Sequence, residues 1–138
     1  MVDYLLEDAL MNSFDKVGEF MVRNPICAKI WHPLSFVRQI MLENSFSYLP
    51  VFIEEKWKLV SDTQLAFYLT CEKKERERRL IQRLESAVNE QLKLEETHSC
   101  FCDEAKQIAL EKSKGLPVLV LSKSTPDLVG IVSSFDLL

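Results

Sequence analysis

The sequence predicts an α+β fold built from two copies of a βαββα unit. Three observations carry that prediction. The stretch Gln39-Ile40-Met41-Leu42-Glu43 recurs as Gln107-Ile108-Ala109-Leu110-Glu111, 68 positions later. Leu49-Pro50-Val51 recurs in the same order as Leu116-Pro117-Val118, 67 positions later. The C-terminal stretch reads as an apolar strand from Gly115 to Leu121, a polar turn from Ser122 to Asp127 and a second strand from Leu128 to Val132. Ser133 and Asp136 follow with capping-box spacing, Asp standing where Glu or Gln is usual. Two ordered matches at nearly one offset argue for tandem duplication, and a unit with one bare sheet face needs a second copy to cover it.

Taken in order, the chain divides into an N-terminal helix (1–15), a first repeat (16–70), a helical connector (71–94) and a second repeat (95–138). Leu5, Leu6, Ala9, Leu10 and Phe14 recur at helical spacing with Asp3, Glu7 and Asp8 between them, which predicts an amphipathic helix outside the repeat covering an apolar face. Its acidic polar face suits a membrane surface poorly. Val17 to Met21 should turn, and Pro25 then forces extended chain. Ile26 to Trp31 is the expected first strand of the first copy. Pro33 precedes a helix from Leu34 to Glu43 that buries Leu34, Val37, Ile40 and Met41. Leu49–Ile53 and Trp57–Val60 make a hairpin whose turn, Glu54-Glu55-Lys56, has neither Gly nor Pro.

No Gly or Pro occurs between Pro50 and Gly115. Glu72 to Leu94 is strongly helix-forming, with Leu80, Leu84, Ala87, Val88 and Gln91 on one face and favourable four-apart pairs Glu72–Arg76 and Glu75–Arg79. One helix from Thr63 to Leu92 would be about 45 Å long at ~1.5 Å per residue. The expectation is therefore a break near Cys71, or a projecting helix packed on a second subunit. The basic cluster from Lys73 to Arg83 could meet phosphates; a solvated face balanced by Glu72, Glu75 and Glu77 is the preferred reading. The second copy opens with a strand from Thr97 to Phe101. Asp103 is the expected N-cap of a helix carrying Ala105, Ile108, Ala109 and Lys112, and Gly115 its terminator.

Composition narrows the function classes. A hydrophobic fraction of 47% permits a real core, and a net charge of −4 argues against nucleic acid as the main partner. No apolar run approaches the ~18 residues of a membrane span. Asp3, Glu7 and Asp8 interrupt any signal-peptide pattern, so the four cysteines read as reduced thiols of a cytoplasmic protein. Three glycines leave no room for a P-loop or dinucleotide turn. No Ser/His/Asp order is present, and His32 reads as a strand-end histidine rather than a base; the expectation is a chain without catalytic residues. Cys100-Phe101-Cys102 near His98 invites a metal reading, but the spacing is not that of a zinc ribbon or finger, and Cys27 and Cys71 are isolated, so no metal site is expected.

Val17-Gly18-Glu19-Phe20-Met21 followed by Asn24-Pro25, the two Leu-Pro-Val strands, and Gly130-Ile131-Val132-Ser133-Ser134-Phe135-Asp136 together resemble a cystathionine-β-synthase (CBS) domain pair, or Bateman module. The resemblance runs from Lys16 to the C-terminus, with a divergent middle. It implies a non-catalytic regulatory sensor that binds an adenosine ligand (AMP, ADP, ATP or S-adenosylmethionine) in a cleft between the repeats, needs no cofactor, forms a homodimer and acts on an effector protein or domain. Ser133 and Asp136 would take the phosphate and ribose, the backbone of Ile26, Cys27 and Ala28 would read the adenine edge, and Phe46, Ser47 and Tyr48 would line the cleft. The other cleft is degraded, because Lys58 and Gln64 stand where the second copy has Gly130 and Asp136. The family places a helix after that Asp, and the N-terminal helix is expected to take its place. The alternative is a dimerisation scaffold whose clefts are filled by side chains.

Overall fold

A computed structural model describes residues 15–138; the helix expected over Val2 to Phe14 lies outside them. In chain order the elements are a 3-10 turn (Val17–Glu19), β1 (Val22–Arg23), α1 (Leu34–Asn44), β2 (Tyr48–Ile53), β3 (Lys56–Ser61), α2 (Asp62–Leu69), α3 (Lys73–Ile81), α4 (Leu84–Glu90), β4 (Ser99–Phe101), α5 (Lys106–Ser113), β5 (Val118–Leu121) and β6 (Leu128–Val132). They form two compact units. Ile26–Glu96 is one; the stretch ending at Pro25 joins Thr97–Leu138 in the other.

In the Ile26–Glu96 unit, Pro33 fixes the entry to α1 at φ −66°, and its missing N–H costs nothing at a helix start. The helix buries Leu34, Val37 and Met41, and Ser45 closes it in the left-handed region at φ 55°. β2 and β3 pair antiparallel from Tyr48↔Ser61 to Ile53↔Lys56. Leu59 exchanges both backbone bonds with Glu95, so it faces away from β2 and the opposite residue, Pro50, sits at a non-hydrogen-bonded position. Pro50 therefore forfeits no ladder bond to β3, while its carbonyl accepts from Ala28 N–H at 2.8 Å. Leu34, Leu49, Val51, Val60, Leu84 and Ala87, all fully buried, form the centre of the core.

Two expectations are corrected here. Ile26 to Trp31 is not a strand: it makes one parallel bridge, Ala28↔Val51. The chain then turns, because His32 N–H bonds the Lys29 carbonyl and Lys29 N–H bonds His32 Nδ1. The connector is not one helix. It breaks at Thr70 to Glu72, the first of the two outcomes the length argument left open, and again at Gln82-Arg83. At the second break the backbone is extended (Gln82 φ −66°, ψ 146°) because tertiary bonds claim it. Leu34 N–H donates to the Gln82 carbonyl, while Leu84 and Glu85 N–H donate to the carbonyls of His32 and Ile30. Those two donors are orphans of the first turn of α4, and the Ile30–His32 turn caps them.

The other unit carries a sheet in the order β1-β6-β5-β4, with β4 parallel to β5 and the remaining pairs antiparallel. Its pattern repeats that of the first: a parallel first strand, a hairpin, and on the outer edge a lead-in segment. β1 borders β6 as Glu95 borders β3. Gly130 leaves room for this, since a Cβ there would force the Met21 side chain to shift. The Leu-Pro-Val match is displaced in register. Val51 opposes Lys58, whereas Val118 opposes Val132 and Val120 opposes Gly130. The structural counterpart of Leu49-Pro50-Val51 is thus Val118-Leu119-Val120, two residues along, and Pro117 precedes β5. Asp103 does not cap α5. It pairs with Lys123, and the helix begins after Ala105, which makes no side-chain cap bond. Lys114 and Gly115, at φ 40° and 86°, end α5. Among the described residues no helix is long and apolar enough to cross a membrane.

The β2–β3 turn places both Glu54 (φ 53°) and Glu55 (φ 65°) in the left-handed region, the requirement of a two-residue type I′ turn. Neither residue suits it. Glu55→Gly should raise stability by about 1 kcal/mol, the cost of a left-handed L-residue less the entropy of glycine; chemical denaturation of the two proteins measures it.

Candidate functional site

Ser133 and Asp136 form a reciprocal cap. Asp136 N–H donates to Ser133 Oγ at 3.3 Å, and Asp136 Oδ2 accepts from Ser133 N–H at 2.9 Å and Ser133 Oγ at 3.1 Å. The turn that follows closes through Leu137 N–H to the Ser134 carbonyl, and Leu137 is buried. The carboxylate is thereby fixed in direction. No described residue hydrogen-bonds its second oxygen, Oδ1, which is left able to accept from a hydroxyl.

The matching step in the first copy is Ser61-Asp62-Thr63-Gln64. Ser61 Oγ accepts from Gln64 N–H at 3.1 Å, so the serine half of the cap is the same. The return half is missing, since no described bond runs from the Gln64 side chain to Ser61. Asp62 Oδ1 instead accepts from Thr63 N–H at 2.7 Å. Lys58 reaches towards Glu54 (3.9 Å) and Glu96 (3.8 Å).

The other six residues expected at a ligand site all lie in the Ile26–Glu96 unit, whereas Ser133 and Asp136 belong to the other. Ile26 is exposed, Cys27 half-buried and Ala28 buried with its N–H on Pro50. Burial raises the Cys27 thiol above its ordinary pKa, against the lowering effect of Lys29. Phe46 packs on the core and returns its N–H to the Met41 carbonyl. The Ser47 carbonyl accepts from Asp62 N–H at 2.9 Å, and Tyr48 opens β2 opposite Ser61. Phe46, Ser47 and Tyr48 are therefore brought beside the Ser61 cap of their own repeat.

Two features were not anticipated from the residues. A groove of about 330 Å³ is lined by Arg38, Met41 and Leu42 of α1, Asp62, Leu65, Ala66 and Leu69 of α2, and Thr70 and Arg76. The signal was the pair Leu42 and Ala66, apolar on faces turned away from the core. The second feature is a polar ring around the buried Tyr68. The Arg79 guanidinium lies 4.4 Å above the Tyr68 ring and donates to the Tyr68 carbonyl at 2.5 Å. Glu75 accepts from Arg78 (2.6 Å) and Arg79 (3.0 Å), and Arg78 also reaches Glu90 at 3.1 Å. The Tyr68 hydroxyl stands 2.6 Å from Gln82 Oε1 and 3.2 Å from Glu90 Oε2, so its one proton serves either. Two of the cations in the Lys73 to Arg83 cluster are thus engaged by carboxylates. No group of three His, Cys, Asp or Glu among the described residues could hold a metal; Cys100 is buried, with its thiol pushed up to about 11 chiefly by burial.

No family model matches the chain, and no curated protein sequence does. Solved structures do. A CBS domain-containing protein from Bacillus anthracis matches with a TM-score of 0.71 at 14% identity, covering 91% of this chain and 93% of that one. CBSX2 in complex with AMP matches with a TM-score of 0.65 at 18% identity, over 89% and 93% of the two chains. The CBS domain pair of protein MJ0100, in complex with 5′-methylthioadenosine and S-adenosyl-L-methionine, matches with a TM-score of 0.62 at 20% identity, over 88% and 95%. The chain has the fold of a tandem CBS pair.

The ring around Tyr68 has an acid signature. Hydrogen bonds from Arg78 and then Arg79 hold the Glu75 carboxyl down to about 2, from an ordinary 4.5. A depressed carboxylate contributes stability that is complete above its unfolded pKa and is lost as pH falls towards the folded one. Stability should therefore drop between about pH 4.5 and 2, and Glu75→Gln should flatten that part of the profile. Carboxyl NMR titration of Glu75 should place its midpoint near 2.

Proposed function

We propose that this chain is a non-catalytic regulatory module that binds an adenosine-containing ligand, AMP, ADP, ATP or S-adenosylmethionine. The observation that carries the reading is the Ser133–Asp136 cap. It orients a carboxylate and leaves Oδ1 as an acceptor of the kind a ribose diol requires, while nearby N–H groups, and the serine hydroxyl once it turns from Oδ2, suit phosphate. The backbone of Ile26, Cys27 and Ala28 reads the adenine edge, and Phe46, Ser47 and Tyr48 supply the surface on which the base rests. The adenosine ligands held by CBSX2 and by the MJ0100 pair support this assignment. Without its return bond, the Ser61–Gln64 step lacks an anionic acceptor, so binding is asymmetric. Occupancy acts on an effector only insofar as the ligand favours one arrangement of the chain over another.

Titration calorimetry with the four ligands tests this. Asp136→Asn and Asp136→Ala should abolish binding, and Gln64→Ala should leave it nearly unchanged; equal losses at both positions would sink the asymmetry. A site held at ~100 times its dissociation constant should add ~2.7 kcal/mol to stability, whereas no shift with any of the four would favour an interaction scaffold.

The second reading, a homodimer, rests on the outer face of α1 and α2. Leu42 is 62% exposed and Phe67 71% exposed beside the groove, two large apolar side chains that a partner would cover. A second copy of the chain is the proposed occupant. Sedimentation velocity should give a dimer, and Leu42→Glu with Phe67→Asp should give a folded monomer; a monomeric parent protein refutes it.

A further inference from the structure

Helix α3 is held differently from every other helix in its unit. None of its residues is buried. Leu80 alone packs its side chain against the core, partly buried, while its neighbour Ile81 is 76% exposed. Helices α1, α2 and α4 by contrast each contribute at least two buried apolar residues. The chain at both ends of α3 is extended: Thr70 has φ −86° and ψ 90°, and Gln82 has φ −66° and ψ 146°. The helix is thus flanked by two non-helical joints, the second pinned as a pivot by Leu34 N–H on the Gln82 carbonyl.

Besides its packing along α1 and α2 and the Leu80 contact, what fastens α3 is a polar, partly exposed network. Arg79 reaches back to the Tyr68 carbonyl and ring on α2. Arg78 bridges Glu75 of α3 to Glu90 of α4. Gln82 joins the Tyr68 hydroxyl to the joint, and its carbonyl accepts from Leu34 N–H at 2.9 Å. Side-chain exposures in this network reach 48% at Arg78 and 47% at Glu90, so water and salt have access to it. Charged contacts of this kind weaken as the screening length shrinks from ~10 Å at 0.1 M salt to ~3 Å at 1 M, whereas burial of apolar side chains does not.

We propose that α3 is a salt-releasable strap: it detaches from α1, α2 and α4 at its two joints as one element, while the α1, β2–β3, α2 and α4 core stays folded. Detachment withdraws Arg76, one wall of the α1–α2 groove, and uncovers Tyr68. The strap thereby sets how much of that groove is open, independently of whether an adenosine ligand is bound.

Hydrogen exchange read by mass spectrometry on the full chain, at 0.05 and 0.5 M NaCl, tests this. The amides of Glu77 to Ile81 should exchange faster than those of α1 and α2. Their rate should rise on the order of three- to tenfold with salt while those of α1 and α2 stay constant. Arg78→Gln should speed exchange in α3 at low salt and remove most of the salt dependence. Exchange of α3 in step with α1 and α2, or fast exchange that ignores salt, would overturn the proposal. So would an unchanged salt response in Arg78→Gln.

Discussion

Each hairpin in this protein is closed on its outer edge by chain that leads into the other repeat. β1, at the start of the first repeat, lies along β6, and Glu95, at the start of the second, bonds Leu59 of β3. Neither repeat is therefore a self-contained stretch of sequence. A hairpin alone leaves two rows of unpaired backbone groups, and burial without partners costs ~1–3 kcal/mol for each. In the second repeat one row is met by β4 and the other by the exchanged β1; in the first, Ala28 and Glu95 each meet a row at a single bridge. The cut between units consequently falls at Pro25 and Glu96 rather than at the ends of the sequence duplication. Gly130 belongs to the same arrangement, because it admits the Met21 side chain where any larger residue would stand.

The duplication was legible because it is written in apolar spacing. Gln39–Glu43 and Gln107–Glu111 fall within α1 and α5, and the two hairpins lie where alternating apolar residues placed them. What escaped detection depends on partners distant in sequence. Pro50 lies inside β2 while Pro117 stands before β5, so one tripeptide occupies two registers; a two-residue slip keeps the same faces buried and leaves no trace in the pattern. The break at Gln82-Arg83 carries no Gly or Pro. Local propensity favours helix there, and the carbonyls of Ile30 and His32, together with Leu34 N–H, override it.

The candidate site was legible in part for the same reason. Ser-x-x-Asp is a local motif, and its two hydrogen-bonding residues found each other as the spacing predicts. The contrast with Ser61-x-x-Gln64 was also readable, since an amide cannot supply the anionic acceptor that returns to the serine. The clasp around Tyr68 was visible only as the Glu75–Arg79 pair. Its other members, Tyr68, Arg78, Gln82 and Glu90, come from separate places in the chain, and nothing in their spacing says they meet.

Pro50 has a further consequence for how this molecule behaves in a crowded solution. On the side of β2 away from β3, the outward-facing backbone groups at that position are a carbonyl already taken by Ala28 and a ring nitrogen with no hydrogen to give. A foreign strand arriving at this border would find an interrupted row of donors and could not zip along it. The proline of the repeated tripeptide thus also works against templated self-association.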